Sequence, residues 1–268
     1  MIGLDAVDPG LLLILFGVAL VAATLDAIAG GGGLLTVPAL LLAGLDPATA
    51  LGTNKLQGAA GSLSSTWAFA RKGLIDWTIA WPWALSSGVA SVLGALCARL
   101  LPVTVLQAAI PIVLVAIALY FATARRMGDD DARARVAPLI FTLTLIPVVG
   151  FYDGLFGPGA GSFYLIGFVT LLGFGVTRAT AHTKLANAAS NVGSLGLFAL
   201  TGSVNLVIGL TMAVGAFLGA QIGSRLAMRL GARLIRPLLV VMACLMAIRL
   251  LADPANPLRV AIAALFLK

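Results

Sequence analysis

The sequence contains few charged residues. Of its 268 residues only 10% are charged and 60% are hydrophobic, whereas about a quarter of the residues in a soluble domain are charged. The mean hydropathy is +1.08, and no polar stretch is long enough to fold as a separate soluble module. The composition therefore excludes a soluble protein and indicates one all-helical integral membrane domain over residues 1–268.

Cysteine and histidine are also scarce. Cys97 and Cys244 both lie in apolar runs, where cysteine packs as a small core residue, and His182 is the only histidine. These counts exclude a disulfide framework and a cysteine–histidine metal site. The chain also has no Walker loop and no nucleophile elbow. We therefore expect no metal, no cofactor and no enzymatic activity.

The net charge of +7 is concentrated in clusters of arginine and lysine between apolar runs. Such clusters are typical of cytoplasmic loops and do not indicate a nucleic-acid partner. Hydropathy predicts ten helical segments, at 11–29, 34–43, 47–70, 78–100, 103–123, 137–152, 159–173, 177–200, 205–228 and 234–251. If all ten cross the membrane and the N-terminus is outside, each basic cluster is cytoplasmic, including a linker at 124–136.

Several parts of the chain need a separate interpretation. The first apolar run has no basic region before it, so we expect a retained span rather than a signal peptide. The segments at 34–43 and 159–173 are short enough to be re-entrant or broken helices. The tail at 253–268 is too short to cross, so we expect it at the interface or docked on the bundle.

The two halves of the chain resemble each other. The string "GLDPATALGTNKLQGAAGS" from Gly44 aligns without a gap with "GFGVTRATAHTKLANAASN" from Gly173, so Lys55 aligns with Lys184. The repeats cover about 11–123 and 137–252. Five crossings in each copy is an odd number, so the two copies would have opposite orientations in the membrane. Inverted repeats of this kind are typical of secondary transporters.

A glycine cluster precedes the short segment of each repeat. These clusters are "AGGGG" at 29–33 and "FGPGAG" at 156–161. Free backbone N–H groups and the positive end of a helix dipole at such breaks suit an anion, although glycine also permits close helix packing. The predicted backbone donors are Gly31, Gly32, Gly33, Gly157, Gly159 and Gly161.

Each half also places a lysine beside a polar helix face. Few acidic residues are available, so we expect these lysines to offer positive charge to an anion; snorkelling to the interface is the alternative. The neighbouring amides and hydroxyls would supply neutral hydrogen bonds. The predicted substrate ligands are Thr53, Asn54, Lys55 and Gln57 in the first half and His182, Thr183, Lys184, Asn187 and Asn191 in the second.

Two aspartates precede the glycine clusters at matching repeat positions. Asp26 and Asp153, together with His182, could exchange protons in a coupled transport cycle. The two aspartates could instead pair with the lysines or cap the short helices. The sequence leaves these uses open.

Three strings resemble the TauE/SafE family, the sulfite exporters of bacterial inner membranes. They are "DAIAGGGGLLTVPALLLAGLDPATALGTNKLQGAAGS", "GFYDGLFGPGAGSFYL" and "ATAHTKLANAASNVGSL". The resemblance covers about residues 26–225 and implies a carrier of sulfite or related sulfur-containing anions such as organosulfonates. The family's motif positions fall on Asn54, Lys55, Gln57, Asp153, Gly157, Pro158, Gly159, Gly161, Lys184 and Asn187.

From the residues and the resemblance together we expect a secondary carrier that exports a small oxyanion by alternating access. An anion channel, or a carrier of another small anion such as a carboxylate, is the main alternative. A cation carrier is disfavoured because the intramembrane polar groups are mainly donors. A membrane scaffold, in which the polar faces only hold helices together, is a further alternative.

Overall fold

The computed structural model describes residues 8–98, 128–235, 237–238, 240–241 and 244. In these residues the regular secondary structure is helical, which confirms the predicted all-helical class for this part of the chain. The assigned helices are α1 (Pro9–Ala29), α2 (Gly33–Leu42), α3 (Pro47–Ala70), α4 (Trp77–Cys97), α5 (Pro138–Leu143), α6 (Leu145–Leu155), α7 (Ala160–Thr170), α8 (Val176–Leu200) and α9 (Leu206–Leu230).

Each predicted segment that falls in the described residues contains helix. The segment predicted at 137–152 is divided into α5 and α6 by a break at Thr144. Pro147 explains the break, because it has no N–H for the carbonyl of Leu143 and its ring crowds that carbonyl. The predicted segment 103–123, the tail 253–268 and most of 234–251 lie outside the described residues.

The lengths of the helices differ in a way that matters for the site. α1, α4, α9 and the stretch 138–155 are long and apolar enough to cross a membrane. α2 and α7 have 10 and 11 residues. At about 1.5 Å per residue they reach only about half of a hydrocarbon core of about 30 Å. The segments predicted to be short, 34–43 and 159–173, therefore form short helices.

The helices α3 and α8 lie at the centre of the bundle. They contact each other, and α3 also packs against α9 while α8 packs against α4. Their polar residues are buried, whereas large apolar side chains such as Leu13, Leu85 and Leu210 are exposed on α1, α4 and α9. A polar interior and an apolar exterior are typical of a protein surrounded by lipid.

Glycines allow the outer helices to pack closely. On α9, Gly215, Gly219 and Gly223 lie against the carbonyl oxygens of the facing residues on α1, and a Cβ atom at Gly219 would overlap the carbonyl of Leu20. On the other side of the bundle, a Cβ at Gly94 of α4 would overlap a carbonyl of α6. Small residues of this kind bring membrane helices into backbone contact, which dispersion forces then stabilise.

The linker is docked on the start of α8. Asp129 accepts hydrogen bonds from the hydroxyl of Thr177 and from the N–H of Ala232, at 2.7 and 3.1 Å. Asp131 accepts from the N–H of Gly175 at 2.7 Å and pairs with Arg178 at 2.5 Å. Burial opposes ionisation of Asp131, but these hydrogen bonds outweigh it and lower its pKa. The linker therefore joins the beginning of α8 to the end of α9.

The glycine contact between α1 and α9 predicts a position-specific loss of stability. Gly219→Ala should lower the free energy of unfolding by about 1–3 kcal/mol, because the added methyl overlaps a backbone carbonyl that cannot move independently. Gly17→Ala on α1 is the matched control, since a Cβ there meets no atom within 4 Å. Melting temperatures of the purified variants in detergent measure the effect, and equal values for the two variants would contradict this packing.

Candidate functional site

The two glycine clusters meet inside the protein. Gly30 follows α1 with a φ of 80°, and a Cβ on it would lie 2.6 Å from the backbone nitrogen of Ser162 on α7. The hydroxyl of Ser162 donates to the carbonyl of Ala29 at 3.1 Å. Gly157 and Gly159 also have positive φ values, which glycine adopts without strain. The breaks before α2 and α7 are thus in direct backbone contact.

Two lysine–aspartate pairs join the halves of the chain. Lys55 on α3 donates to Oδ1 of Asp153 on α6 at 2.8 Å, and Lys184 on α8 donates to Oδ2 of Asp26 on α1 at 3.0 Å. Each lysine also donates to the main-chain carbonyl of the same aspartate. Each half therefore supplies the lysine that neutralises the aspartate of the other half.

This arrangement decides between two expectations from the sequence. Each lysine has an acidic partner. Lys55 pairs with Asp153 and Lys184 pairs with Asp26, as in the alternative in which the aspartates pair with the lysines. Both lysine side chains are 1% exposed, which also excludes snorkelling to the surface of the described structure. Asp26 in addition accepts from the N–H of Gly32 at 3.0 Å, so it satisfies a donor at the break before α2.

A cavity of about 40 Å³ lies between the two breaks. It exceeds the space that one water molecule needs. Asp26 and Asp153 line it together with glycines from both clusters, and the amide side chains of α3 and α8 complete its wall. The predicted site residues in the lining are Asp26, Gly31, Gly32, Gly33, Asn54, Gln57, Asp153, Gly157, Gly159, Gly161, Asn187 and Asn191.

Two side chains orient the amide of Asn54. Its Oδ1 accepts from the hydroxyl of Thr36 on α2 at 2.5 Å and from Nε2 of Gln57 at 2.8 Å. Gln57 also donates to the Thr36 hydroxyl at 3.2 Å. Because both donors are on the oxygen side, Nδ2 of Asn54 points the other way, near Gly33. Asn54 thus presents an N–H donor beside the first residue of α2.

Asn187 contributes an amide that the rest of the site does not use. Its Oδ1 is buried and has no hydrogen-bond partner among the described residues. The neighbouring Asn191 is held differently, since its Nδ2 donates to the main-chain carbonyl of Asn187 at 2.7 Å. A buried amide oxygen without a partner costs about 1–3 kcal/mol, so a bound water or ligand at this place is favoured.

The other predicted ligands do not line the cavity. Thr53 accepts from the N–H of Asn205 at 3.0 Å, in the loop before α9. His182 accepts from the N–H of Asp76 at 3.2 Å through Nε2, which requires a neutral ring, and it packs against Trp83. Thr183 is buried and its hydroxyl has no partner within the described residues.

Two residues that hold side chains of the site in place were not predicted from the sequence. Thr36 lies on the short helix α2 and gave no signal by itself. Ser190 donates to Oδ2 of Asp153 and lies three residues after Asn187, so the helical spacing of the polar face could have identified it. In the aligned first repeat its position is occupied by Gly61.

Comparison with known proteins identifies the family. Residues 15–250 match the family described as Sulfite exporter TauE/SafE. The chain belongs to the TauE/SafE family. This agrees with the resemblance that the glycine clusters and the "GTNK" string imply.

Relatives of this TauE/SafE protein are named as transporters. The chain is 55% identical over 250 residues to "Probable membrane transporter protein ORF9" of Sinorhizobium sp, covering 93% of this chain and 96% of that protein. It is 47% identical over 247 residues to "Probable membrane transporter protein YfcA" of Escherichia coli K12, covering 92% of each. No solved structure gives a significant match. The family and these relatives support a role in membrane transport.

The contacts of Thr36 predict that it positions Asn54. Thr36→Val keeps the side-chain shape but removes the donor to Asn54, so we expect the KM for the transported anion to rise about fivefold with little change in kcat, the loss expected for one hydrogen bond. Thr36→Ser keeps the hydroxyl and should restore the KM. A valine variant with wild-type KM, or a serine variant that fails to restore it, would contradict this role.

Proposed function

We propose that this protein is a secondary carrier that exports sulfite or a related small sulfur-containing oxyanion by alternating access. The cavity between the two helix breaks is the observation that carries the proposal. It combines backbone groups of both glycine clusters with amides from both central helices, and these are suitable donors for an oxyanion. The family description gives the sulfur-containing substrate.

The inverted-repeat architecture is part of the proposal. In the repeat alignment Lys55 corresponds to Lys184 and Asp153 corresponds to Asp26. The pair Lys55–Asp153 is therefore equivalent to the pair Lys184–Asp26, with the two halves of the chain exchanged. The helix contacts follow the same relation, because Gly223 of α9 meets Thr24 of α1 and the aligned Gly94 of α4 meets Phe151 of α6. Two inverted copies, each with a broken segment, would place one binding site where the copies meet.

The proposed location is the bacterial inner membrane, with the N-terminus outside and the linker in the cytoplasm. The linker contacts the loop before α8 and the turn after α9, so these regions lie at one end of the bundle. Asp76, in the loop between α3 and α4, contacts His182 near the same end. The basic residues of these loops favour the cytoplasmic side.

In this orientation the membrane potential favours export of an anion. A cell interior that is negative makes efflux downhill by about 2.3 kcal/mol per charge per 100 mV. Uniport is therefore sufficient for export, and proton coupling through Asp26 or Asp153 is not needed to supply the driving force. We assign the anion to donors of Asn54, Asn187, Asn191 and the glycine breaks, with Gln57 holding the Asn54 amide in place and Lys184 supplying the positive charge.

Transport assays in proteoliposomes test the proposal. Purified protein should give saturable efflux of sulfite, and methanesulfonate in parallel tests for an organosulfonate. Asn187→Ala should reduce efflux about tenfold with the melting temperature unchanged, because the side-chain N–H groups of Asn187 donate to the anion and, within the described residues, the side chain has no partner that its loss would leave unsatisfied.

Ser194→Ala is the matched control for Asn187→Ala. Ser194 is a buried polar residue on the same helix, but its hydroxyl bonds only to main-chain carbonyls of α8 and does not line the cavity. Its variant should retain wild-type efflux. Non-saturable flux with electrical conductance would indicate a channel instead, and the absence of flux for both anions would contradict the proposed substrate class.

A further inference from the structure

The two lysine–aspartate pairs differ in how firmly the aspartate is held. The Asp153 side chain is 3% exposed, and each of its carboxylate oxygens has a side-chain donor, Lys55 on Oδ1 and Ser190 on Oδ2. The Asp26 side chain is 23% exposed, and its partners are Lys184 and one backbone N–H. Both aspartates line the cavity, but the Asp153 side chain is almost fully buried whereas that of Asp26 is partly exposed.

The repeat alignment gives the reason for this difference. Asp153, Lys55 and Ser190 align with Asp26, Lys184 and Gly61, respectively. The second half has a hydroxyl where the first half has no side chain. Gly61 lines the cavity, and a Cβ on it would lie 3.6 Å from Ala23, one helical turn before Asp26. Each carboxylate accepts two hydrogen bonds, but the second donor is the Ser190 hydroxyl for Asp153 and only the backbone N–H of Gly32 for Asp26.

The charge balance of the cavity restricts how an anion can bind. Two lysines and two aspartates cancel, and of these four side chains the aspartates line the cavity whereas the lysines do not. An entering anion therefore meets a carboxylate before it meets an ammonium group. It can contact a lysine only by taking the place of a carboxylate.

We propose, on the basis of the proposed function, that Asp26 is a tethered anion that occupies Lys184 in the empty carrier, and that the transported oxyanion replaces it there. Lys184 is then the exchangeable positive group, and Lys55 with Asp153 is a permanent pair. The replacement site already contains suitable neutral groups. Lys184 Nζ and Nδ2 of Asn187 both lie near Gly161. A Cβ atom on Gly161 would be 3.7 Å from Lys184 Nζ and 3.2 Å from Asn187 Nδ2.

The geometry also gives the displaced carboxylate a place to remain. Oδ1 of Asp26 is bound to the N–H of Gly32, at the break before α2, while Oδ2 is bound to Lys184. Loss of the Lys184 contact leaves the Gly32 contact intact. Binding of the oxyanion would thus free the Asp26 carboxylate from Lys184 but keep it attached to the start of α2, while the main-chain carbonyl of Asp26 still accepts from Lys184.

Two comparisons test this proposal by isothermal titration of the purified protein with sulfite. Asp26→Asn removes the competing anion, so the Kd of this variant for sulfite should be about tenfold lower than that of the wild type. This is the change expected for one hydrogen bond to a charged group. Asp153→Asn should give no such gain. Both variants should lower the melting temperature, because each leaves a lysine buried without its counter-charge.

The second comparison adds the missing hydroxyl. Gly61→Ser should hold Asp26 as Ser190 holds Asp153, and should raise the Kd for sulfite about fivefold relative to Gly61→Ala, which adds the same carbon without the hydroxyl. Both differences are required, and the absence of either overturns the proposal. Sulfite efflux by the wild-type protein is measured alongside. If the proposed function is wrong, the wild-type protein neither binds nor transports sulfite. If only this proposal is wrong, wild-type efflux is intact but the expected differences in Kd are absent.

Discussion

The fold depends on two buried charge pairs that neither half of the chain can make alone. An isolated charge is very costly in an apolar interior, and removal of one partner from a buried pair costs about 3–5 kcal/mol. Lys55 and Lys184 therefore hold α3 and α8 in register with α6 and α1, respectively. The helix breaks, the short helices and the cavity are all positioned around these four side chains.

The glycines determine how closely the surrounding helices can approach. Gly94 and Gly223 put α4 and α9 in backbone contact with α6 and α1, which brings the two aspartates within reach of the central lysines. The glycine clusters have a different use, because Gly30 and Gly157 adopt positive φ angles and reverse the chain before α2 and α7. The same residue type thus supports packing in the outer helices and an open backbone at the site.

Much of the fold could be predicted because membrane helices leave simple signals. Hydropathy located α3 at its observed bounds, and the glycine clusters located both breaks. The break at Thr144 was missed because a proline within an apolar run is compatible with a continuous, kinked helix as well as with an interrupted one. The side chains that line the cavity were harder to predict, since Thr53 and His182 lie on the same two central helices as the lining amides but contact a loop and an aromatic ring, respectively.

The lysine–aspartate pairing was one of three uses of the aspartates that the sequence left open, beside proton exchange and capping of the short helices. Matching repeat positions bring Asp26 and Asp153 into the same role, but periodicity within one helix does not report which distant helix faces it. The contrast between Ser190 and Gly61 is likewise present in the aligned sequences, yet its effect on the carboxylates depends on the packing of α1 against α3 and of α6 against α8.

The exchange of partners between the halves has a consequence for the origin of the protein. Within each half, the lysine and the aspartate lie on helices that pack together, yet each lysine pairs with the aspartate of the other half. If the proposed duplication arose from a chain of half the length, two antiparallel copies of that chain would have made the same pairs between subunits.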